Sequence, residues 1–313
     1  MKIKFWGVRG SIPTPMNQAQ LQGRIAAIVQ RIQPSDLVSQ ESRDIFIAGL
    51  PAYLSEIIGG NTTCIEIRPS DDTCIIIDAG TGIRTFGNDL LKRREKIKKF
   101  HIFFTHFHMD HITGLPFFEP AYKEGTEIHF YSPQKHMEKA INEQIRLPYF
   151  PVTLDAFMAK MYFHYLKESP VNIGTAQITW RGVKHPGGCF SYKITENNKS
   201  FIFSTDTELI QRDFRRNEEN TKFYKGIEFI VIDSQYTLSE SIEKIDWGHS
   251  SNSLVVDFAL SWDIPKIIFF HHEPKHEDMM IYKMLKTAKW YKDRVKSSRL
   301  EIGVAKEEME IEL

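Results

Sequence analysis

The segment Thr105-His106-Phe107-His108-Met109-Asp110-His111 follows directly on the apolar run His101-Ile102-Phe103-Phe104. It concentrates imidazoles and a carboxylate in a few positions. A strand that ends near Phe104 hands over to a loop, and a loop can fold back so that its side chains converge. His106 and His108 can then face one cation while Asp110 and His111 reach a second beside it. Imidazole and carboxylate are the donor set expected for Zn²⁺, and the same ligands accept Mn²⁺ or Fe²⁺. A polar surface loop that carries histidines by accident is the competing explanation. Energetics weigh against it, because a loop has no packing use for such groups and their convergence without a cation is unfavourable.

Three further candidates lie downstream, each at the C-terminal end of an apolar, strand-like run. They are His185 in Val183-Lys184-His185-Pro186, Asp206 in Phe203-Ser204-Thr205-Asp206-Thr207, and His271 in Ile268-Phe269-Phe270-His271-His272. With His-x-His-x-Asp-His ahead of them in this order, the chain resembles the metallo-β-lactamase superfamily over most of its length. Met1-Lys2-Ile3-Lys4-Phe5-Trp6-Gly7-Val8-Arg9-Gly10-Ser11, Gly59-Gly60-Asn61-Thr62-Thr63-Cys64 and Ile77-Asp78-Ala79-Gly80-Thr81-Gly82 are similar more narrowly to its phosphodiesterase branch, which includes ribonuclease Z and cyclic nucleotide phosphodiesterases.

The resemblance implies an α/β (α+β) fold, a four-layer αββα sandwich with its ligands at strand ends. It also implies a dinuclear centre. His106, His108 and His185 would bind one metal; Asp110, His111 and His271 would bind the other, and Asp206 would bridge both. The cofactors expected are two divalent ions, zinc foremost, with Mn or Fe as alternatives. Metal ligation lowers the pKa of water from about 15.7 to about 7, so a metal-bridging hydroxide is the expected nucleophile, with Asp110 able to orient it. The diiron oxygen-reducing relatives would call for Glu at position 108. His108 therefore favours hydrolysis over redox chemistry.

Trp247-Gly248-His249-Ser250-Ser251 looks like the segment that carries an extra histidine in the phosphodiesterase branch. His249 is the candidate to protonate a leaving alkoxide, against the alternative of a structural hydrogen bond at a helix start. His272 competes with its neighbour His271 as ligand. Asp78 is read as a support that holds the metal loop by hydrogen bonds rather than as a ligand. Asn61, Thr62 and Thr63 could offer hydrogen bonds to a phosphoryl group or simply form a turn. Cys189 reads as a buried small residue, and His101, His129, His136, His164 and His276 as ordinary histidines. Phe107, Phe117, Phe118, Tyr122, Tyr149 and Phe150 could stack on a base or pack in the core.

Composition narrows the partners. The chain has 313 residues, 42% of them hydrophobic, with 40 basic against 40 acidic side chains and a formal net charge of zero. No global field would draw it to nucleic acid or an anionic membrane, so a small-molecule substrate is expected and a large nucleic-acid polymer is not. Cys64, Cys74 and Cys189 suit a reducing compartment. The chain enters Lys2-Ile3-Lys4-Phe5 without a signal-peptide core, and a cytoplasmic location without membrane association is expected. The reading is a phosphodiesterase acting on a small nucleotide-like substrate. The alternative is a carboxylic-ester, thioester or lactam hydrolase using the same site; an RNA-processing nuclease would want a basic arm that is missing.

The elements that must position these groups are legible in outline. Strand-like runs cover Ile3 to Trp6, Cys64 to Arg68, Cys74 to Asp78, Ile102 to Thr105 and Ile128 to Tyr131; a second set covers Gln177 to Trp180, Phe190 to Thr195, Phe201 to Ser204, Phe229 to Ile232 and Ile267 to Phe270. Helices are expected over Pro133 to Arg146, Ser251 to Ser261 and Asp278 to Lys292. Leu300 to Leu313 suggests an edge strand. The run Lys92-Arg93-Arg94-Glu95-Lys96 with Lys98-Lys99 reads as a solvated helix end. One domain, 1–313, is expected, with a partly helical insertion at about 16–58. In it Leu21, Ile25, Ile28, Val29 and Ile32 share one helical face, expected to pack on the domain's own surface sooner than to form a lid or a subunit contact in a homo-oligomer.

Overall fold

The structure, a computed structural model, describes residues 1–94, 97–295 and 299–313. Its strands are β1 (Lys2–Gly7), β2 (Cys64–Arg68), β3 (Cys74–Ile77), β4 (Lys99–Phe103), β5 (Glu127–Ser132), β6 (Lys160–Tyr165), β7 (Val171–Ile173), β8 (Ala176–Val183), β9 (Cys189–Glu196), β10 (Lys199–Ser204), β11 (Phe229–Asp233), β12 (Lys266–Phe270), β13 (Glu301–Val304) and β14 (Glu310–Glu312). They form two seven-stranded sheets, ordered β14-β1-β2-β3-β4-β5-β6 and β13-β12-β11-β10-β9-β8-β7. Both sheets are mixed. Antiparallel pairing gives way to parallel pairing from β3 to β6 in the first and from β10 to β13 in the second.

Side-chain alternation explains the layering. Ile65 and Ile67 of β2 and Ile75 and Ile77 of β3 enter the core between the sheets, while Cys64, Cys74 and Ile76 join an outer core. Strands covered on both faces read as continuous apolar runs. The sheets meet through rings such as Phe5 against Phe270, with centroids 6.1 Å apart. The helices are α1 (Gln18–Val29), α2 (Gln40–Ala48), α3 (Ala52–Ser55), α4 (Gly82–Arg93), α5 (Met109–Ile112), α6 (Met137–Gln144), α7 (Glu218–Tyr224), α8 (Leu238–Glu243), α9 (Asn252–Ser261) and α10 (Asp278–Val295). Phe86 and Leu90 of α4 cover the first sheet, and Val255 and Phe258 of α9 with Ile281 of α10 cover the second. The result is the expected αββα sandwich.

Several local expectations change. The helix expected from Pro133 starts only at Met137, because Pro133 and Gln134 belong to a turn in which Gln134 Nε2 donates to the Gly188 carbonyl at 2.7 Å. The C-terminal segment supplies two strands rather than one, since the chain crosses from β13, parallel to β12, to β14, antiparallel to β1. Strands β6 and β7 were not foreseen; the edge strand β6, Lys-Met-Tyr-Phe-His-Tyr, lacks a clean apolar alternation. Glu95 and Lys96 of the charge run lie outside the described residues.

The insertion is helical, but no residue of α1 or α2 is buried. Leu21, Ile25 and Val29 are 51%, 52% and 60% exposed, whereas Ile28 and Ile32 are half-buried, so only part of the apolar stripe packs on the chain's own surface. Polar ties also hold α1: Arg24 donates to the Glu56 carbonyl at 2.6 Å and pairs with Asp278. Among the described residues no helix is long and apolar enough to cross a membrane.

Candidate metal centre

The C-terminal ends of β3, β4, β10, β11 and β12, with the loop after β8, deliver polar side chains to one edge of the sandwich. Parallel strands make this the natural place for a site, because their ends and the following loops open on the same side. His106, His108, His185 and Asp206 place one ligand atom each within 4.8 Å of one another, and so do Asp110, His111 and His271. All the residues expected as ligands are therefore gathered. Asp206 stands between the two sets. Its Oδ2 lies 3.7 Å from His106 Nε2 and 3.6 Å from His185 Nε2, whereas its Oδ1 lies 3.1 Å from His111 Nε2 and 3.2 Å from His271 Nε2.

Outer hydrogen bonds fix how each imidazole is presented. His111 Nδ1 donates to Asp78 Oδ2 at 2.8 Å, His185 Nδ1 to the Gly248 carbonyl at 3.0 Å, and His271 Nδ1 to Gln235 Oε1 at 3.0 Å. His106 Nδ1 donates to Thr105 Oγ1 at 3.1 Å, and that hydroxyl donates on to Asp78 at 2.8 Å. Asp78 thus orients two histidines from one buried carboxylate, the supporting role expected for it. With Nδ1 protonated, each ring turns the Nε2 lone pair inward.

The donor set fits divalent cations. Among the described residues, His106 Nε2 and His111 Nε2 are buried without a hydrogen-bond partner, a state that costs about 1–3 kcal/mol per group unless something else engages it. His108 Nδ1 and His185 Nε2 face each other at 3.1 Å; with the ring proton of neutral His185 on the Gly248 side, its Nε2 either accepts from His108 Nδ1 or ligates a cation. Two nitrogens each about 2.0–2.1 Å from a tetrahedral zinc would lie roughly 3.3 Å apart, so the spacing is compatible with both rings facing one cation.

Electrostatics agree. Burial holds His106, His108 and His185 below the ordinary histidine range, which favours the neutral, ligating form. Burial also opposes charge on His111, yet Asp110, Asp206 and Asp78 outweigh it and raise its pKa. Burial likewise opposes ionisation of Asp110 and Asp206, but the surrounding imidazoles keep both well below the carboxylate range. The pocket demands positive charge. Asp78, Asp206 and His271 all take left-handed φ angles, 61°, 46° and 59°, a backbone cost that non-glycine residues carry where neighbours enforce it.

His249 joins the edge of the centre, sharing a further cluster with Asp206 and His271 and lying ring on ring with His271 at 5.1 Å. Its Nδ1 donates to Asp233 Oδ2 at 2.5 Å. Burial works against a proton there, but Asp233 overrides it and lifts His249 to about 9. Gly248 is required beside it: a Cβ at this φ +89 position would sit 2.2 Å from His185 Nδ1.

Other candidates fall outside. His272 Nε2 donates to the Ala305 carbonyl at 3.0 Å and points away from the cluster that holds His271. Cys189 is buried against the Thr205 carbonyl. Asn61 donates to Glu307, Thr62 Oγ1 accepts from the Thr81 backbone, and Thr62 and Thr63 are fully buried, so this turn faces no phosphoryl group. Phe118 is core; Phe117 and Tyr149 stay exposed. Asp233, Gln235 and Thr105 were not read from the sequence. Asp233 carried one available signal, an acid closing the otherwise apolar strand β11.

A family model described as "Beta-lactamase superfamily domain" matches residues 73–272. No curated protein matches the chain. Among solved structures, zinc-bound PqqB from Methylobacterium extorquens is 13% identical with a TM-score of 0.65, covering 100% of each chain. The metallo-beta-lactamase fold protein YhfI from Bacillus subtilis is 14% identical with a TM-score of 0.64, covering 99% of this chain and 98% of its own. A diphosphatase of the PhnP family is 14% identical with a TM-score of 0.61, covering 100% of this chain and 97% of its own. At such identities the likeness is one of fold.

Proposed function

The chain belongs to the beta-lactamase superfamily, and on that premise we propose that it is a dinuclear metal-dependent hydrolase that cleaves a phosphodiester bond in a small nucleotide-like substrate. His106, His108 and His185 would hold one divalent ion, Asp110, His111 and His271 the other, with Asp206 between them. Two such ions supply a water-derived nucleophile at neutral pH and neutralise charge on the phosphoryl group. Zinc suits the imidazole-rich set, and a zinc-bound relative shares the fold.

The observation that carries the phosphodiester reading is the pair His249–Asp233. Asp233 fixes the ring through Nδ1, which leaves Nε2 to hand a proton to the departing oxygen. An alkoxide leaves poorly as an anion, so that proton matters for an ordinary diester and far less for an activated ester. Asp110 and Asp206, held ionised, keep the site's own carboxylates from competing as donors. Ile12, Met109 and Trp247 are 58%, 72% and 62% exposed, and each neighbours a residue that touches the ligand cluster or belongs to it. They would offer an apolar wall to a base or other flat group. The zero formal charge favours a small substrate over a polymer, and the PhnP-family relative is named a diphosphatase.

The test is a screen of metal-replete protein on bis-p-nitrophenyl phosphate, cyclic nucleotides and thioesters, with and without chelator. Chelator-sensitive hydrolysis of the phosphodiesters is expected. Turnover confined to thioesters, carboxylic esters or lactams would overturn the reading.

A further inference from the structure

The proposed ligand Asp110 is held from outside the metal loop. Ser11 N–H donates to Asp110 Oδ2 at 2.8 Å, and Ser11 takes a left-handed φ of 61° to do so. Gly10 packs so closely on the other side that a Cβ there would lie 2.5 Å from His271 Nδ1. A non-glycine residue keeps such a conformation only where neighbours over-determine it. The neighbours are visible. Gly10 N–H donates to the His272 carbonyl and His272 N–H to the Val8 carbonyl, both at 3.0 Å. The guanidinium of Arg9, 4% exposed, donates to the carbonyls of Gly59 at 2.7 Å and His276 at 2.8 Å and to Asp278 Oδ1 at 2.8 Å.

The other oxygen of Asp278 accepts from Arg24 at 2.5 Å and from the Ile58 backbone at 3.1 Å. Arg24 belongs to α1. Between α1 and the body lies a cavity of about 790 Å³, lined in part by Arg9, Arg24 and Asp278, and the helix buries no residue. The bonds of Arg24 are therefore a polar brace between this helix and the body, beside the half-buried Ile28. A continuous line of bonds runs from the insertion through Arg24, Asp278 and Arg9 to the Ser11 amide and Asp110.

We infer that Arg24 and Arg9 are positioning residues for the metal-binding carboxylate Asp110, and that the insertion acts as a brace on one half of the metal centre. The inference rests on the assignment of Asp110 as a ligand. Loss of Arg24 should leave Arg9 paired and the fold intact, yet loosen the loop that presents the Ser11 amide. Loss of Arg9 would orphan several acceptors at once and unfold the region, so Arg24 is the informative position.

The experiment titrates apo-protein with Co²⁺ and follows both its affinity and its visible absorption, with thermal unfolding as a control for folding. Arg24→Ala should weaken one of two Co²⁺ binding steps roughly 10–100-fold, the range for loss of an outer-shell partner, and change the spectrum of that step. Arg24→Lys, which restores one donor and the charge, should recover part of the loss. If Arg24→Ala lowers the unfolding temperature but leaves both binding steps and both spectra unchanged, the brace only stabilises the fold and the inference fails. Wild-type protein that binds no Co²⁺ would overturn the metal centre itself, and this inference with it.

Discussion

Asp233 Oδ2 accepts a hydrogen bond from His249 Nδ1 at 2.5 Å at the edge of the ligand cluster. The bond fixes a ring that also packs against His185, Tyr236 and His271, and it ties the reactivity of that ring to a carboxylate on a neighbouring strand end. If His249 is the proton donor, His249→Ala keeps both metals and loses roughly 10²–10⁴-fold in rate on diesters with alkoxide leaving groups. Rates on p-nitrophenyl diesters stay near wild type. Equal losses on both substrates, measured by steady-state kinetics, would give His249 a role in binding instead.

The same pair sets a pH limit. His249 is raised to about 9 because Asp233 outweighs burial, and two bound cations nearby would bring it lower. A proton donor works below its pKa, so activity falls as pH rises through that value. Asp233→Asn removes the group that raises it, and the alkaline limb of kcat/KM should move to lower pH. An unmoved limb would assign it to another group.

Asp206 and Asp110 should differ in kind. Both oxygens of Asp206 are engaged, each by a separate set of imidazoles, whereas Asp110 is grouped, among the described candidate ligands, with His111 and His271. Asp206→Ala should reduce the content of both metals and Asp110→Ala that of one, as counted by native mass spectrometry. Wild-type metal content in Asp206→Ala would remove the bridging role.

Leu21 and Ile25 of α1 are half exposed to solvent. If this face stays free, Leu21→Gln with Ile25→Gln should change stability by no more than about 0.5 kcal/mol per site. A clear drop in denaturation midpoint, accompanied by a smaller particle on size-exclusion chromatography, would show that a second copy of the chain covers it.

Much of the site was legible because its signals are local. The density of ligands from His106 to His111 leaves few other uses for those residues, and His185, Asp206 and His271 each close an apolar run whose period marks a strand. Asp78 was legible for the same reason, as a carboxylate between buried Ile77 and a glycine-rich turn. The choice between His271 and His272 was not fixed locally. Adjacent residues can point to opposite sides, and the left-handed turn at His271 with the Gln235 contact decided it.

Other outcomes depended on elements distant in sequence. An acid ending a strand looks the same whether it meets water or a histidine, so the partnership of Asp233 with His249 appears only once β11 and the loop before α9 are side by side. The split of Leu300 to Leu313 between two sheets follows from which edges are open, not from its own pattern. The amphipathic stripe of α1 announced a need for burial, but sequence periodicity cannot say whether a partner surface exists within the chain. The sequence determined the candidate ligands and the strands that end in them, because both are set by residue type and short-range period. Tertiary structure alone decided how they are oriented and braced, because hydrogen bonds such as Ser11 to Asp110 join backbone to side chain across 99 positions and leave no trace in residue type.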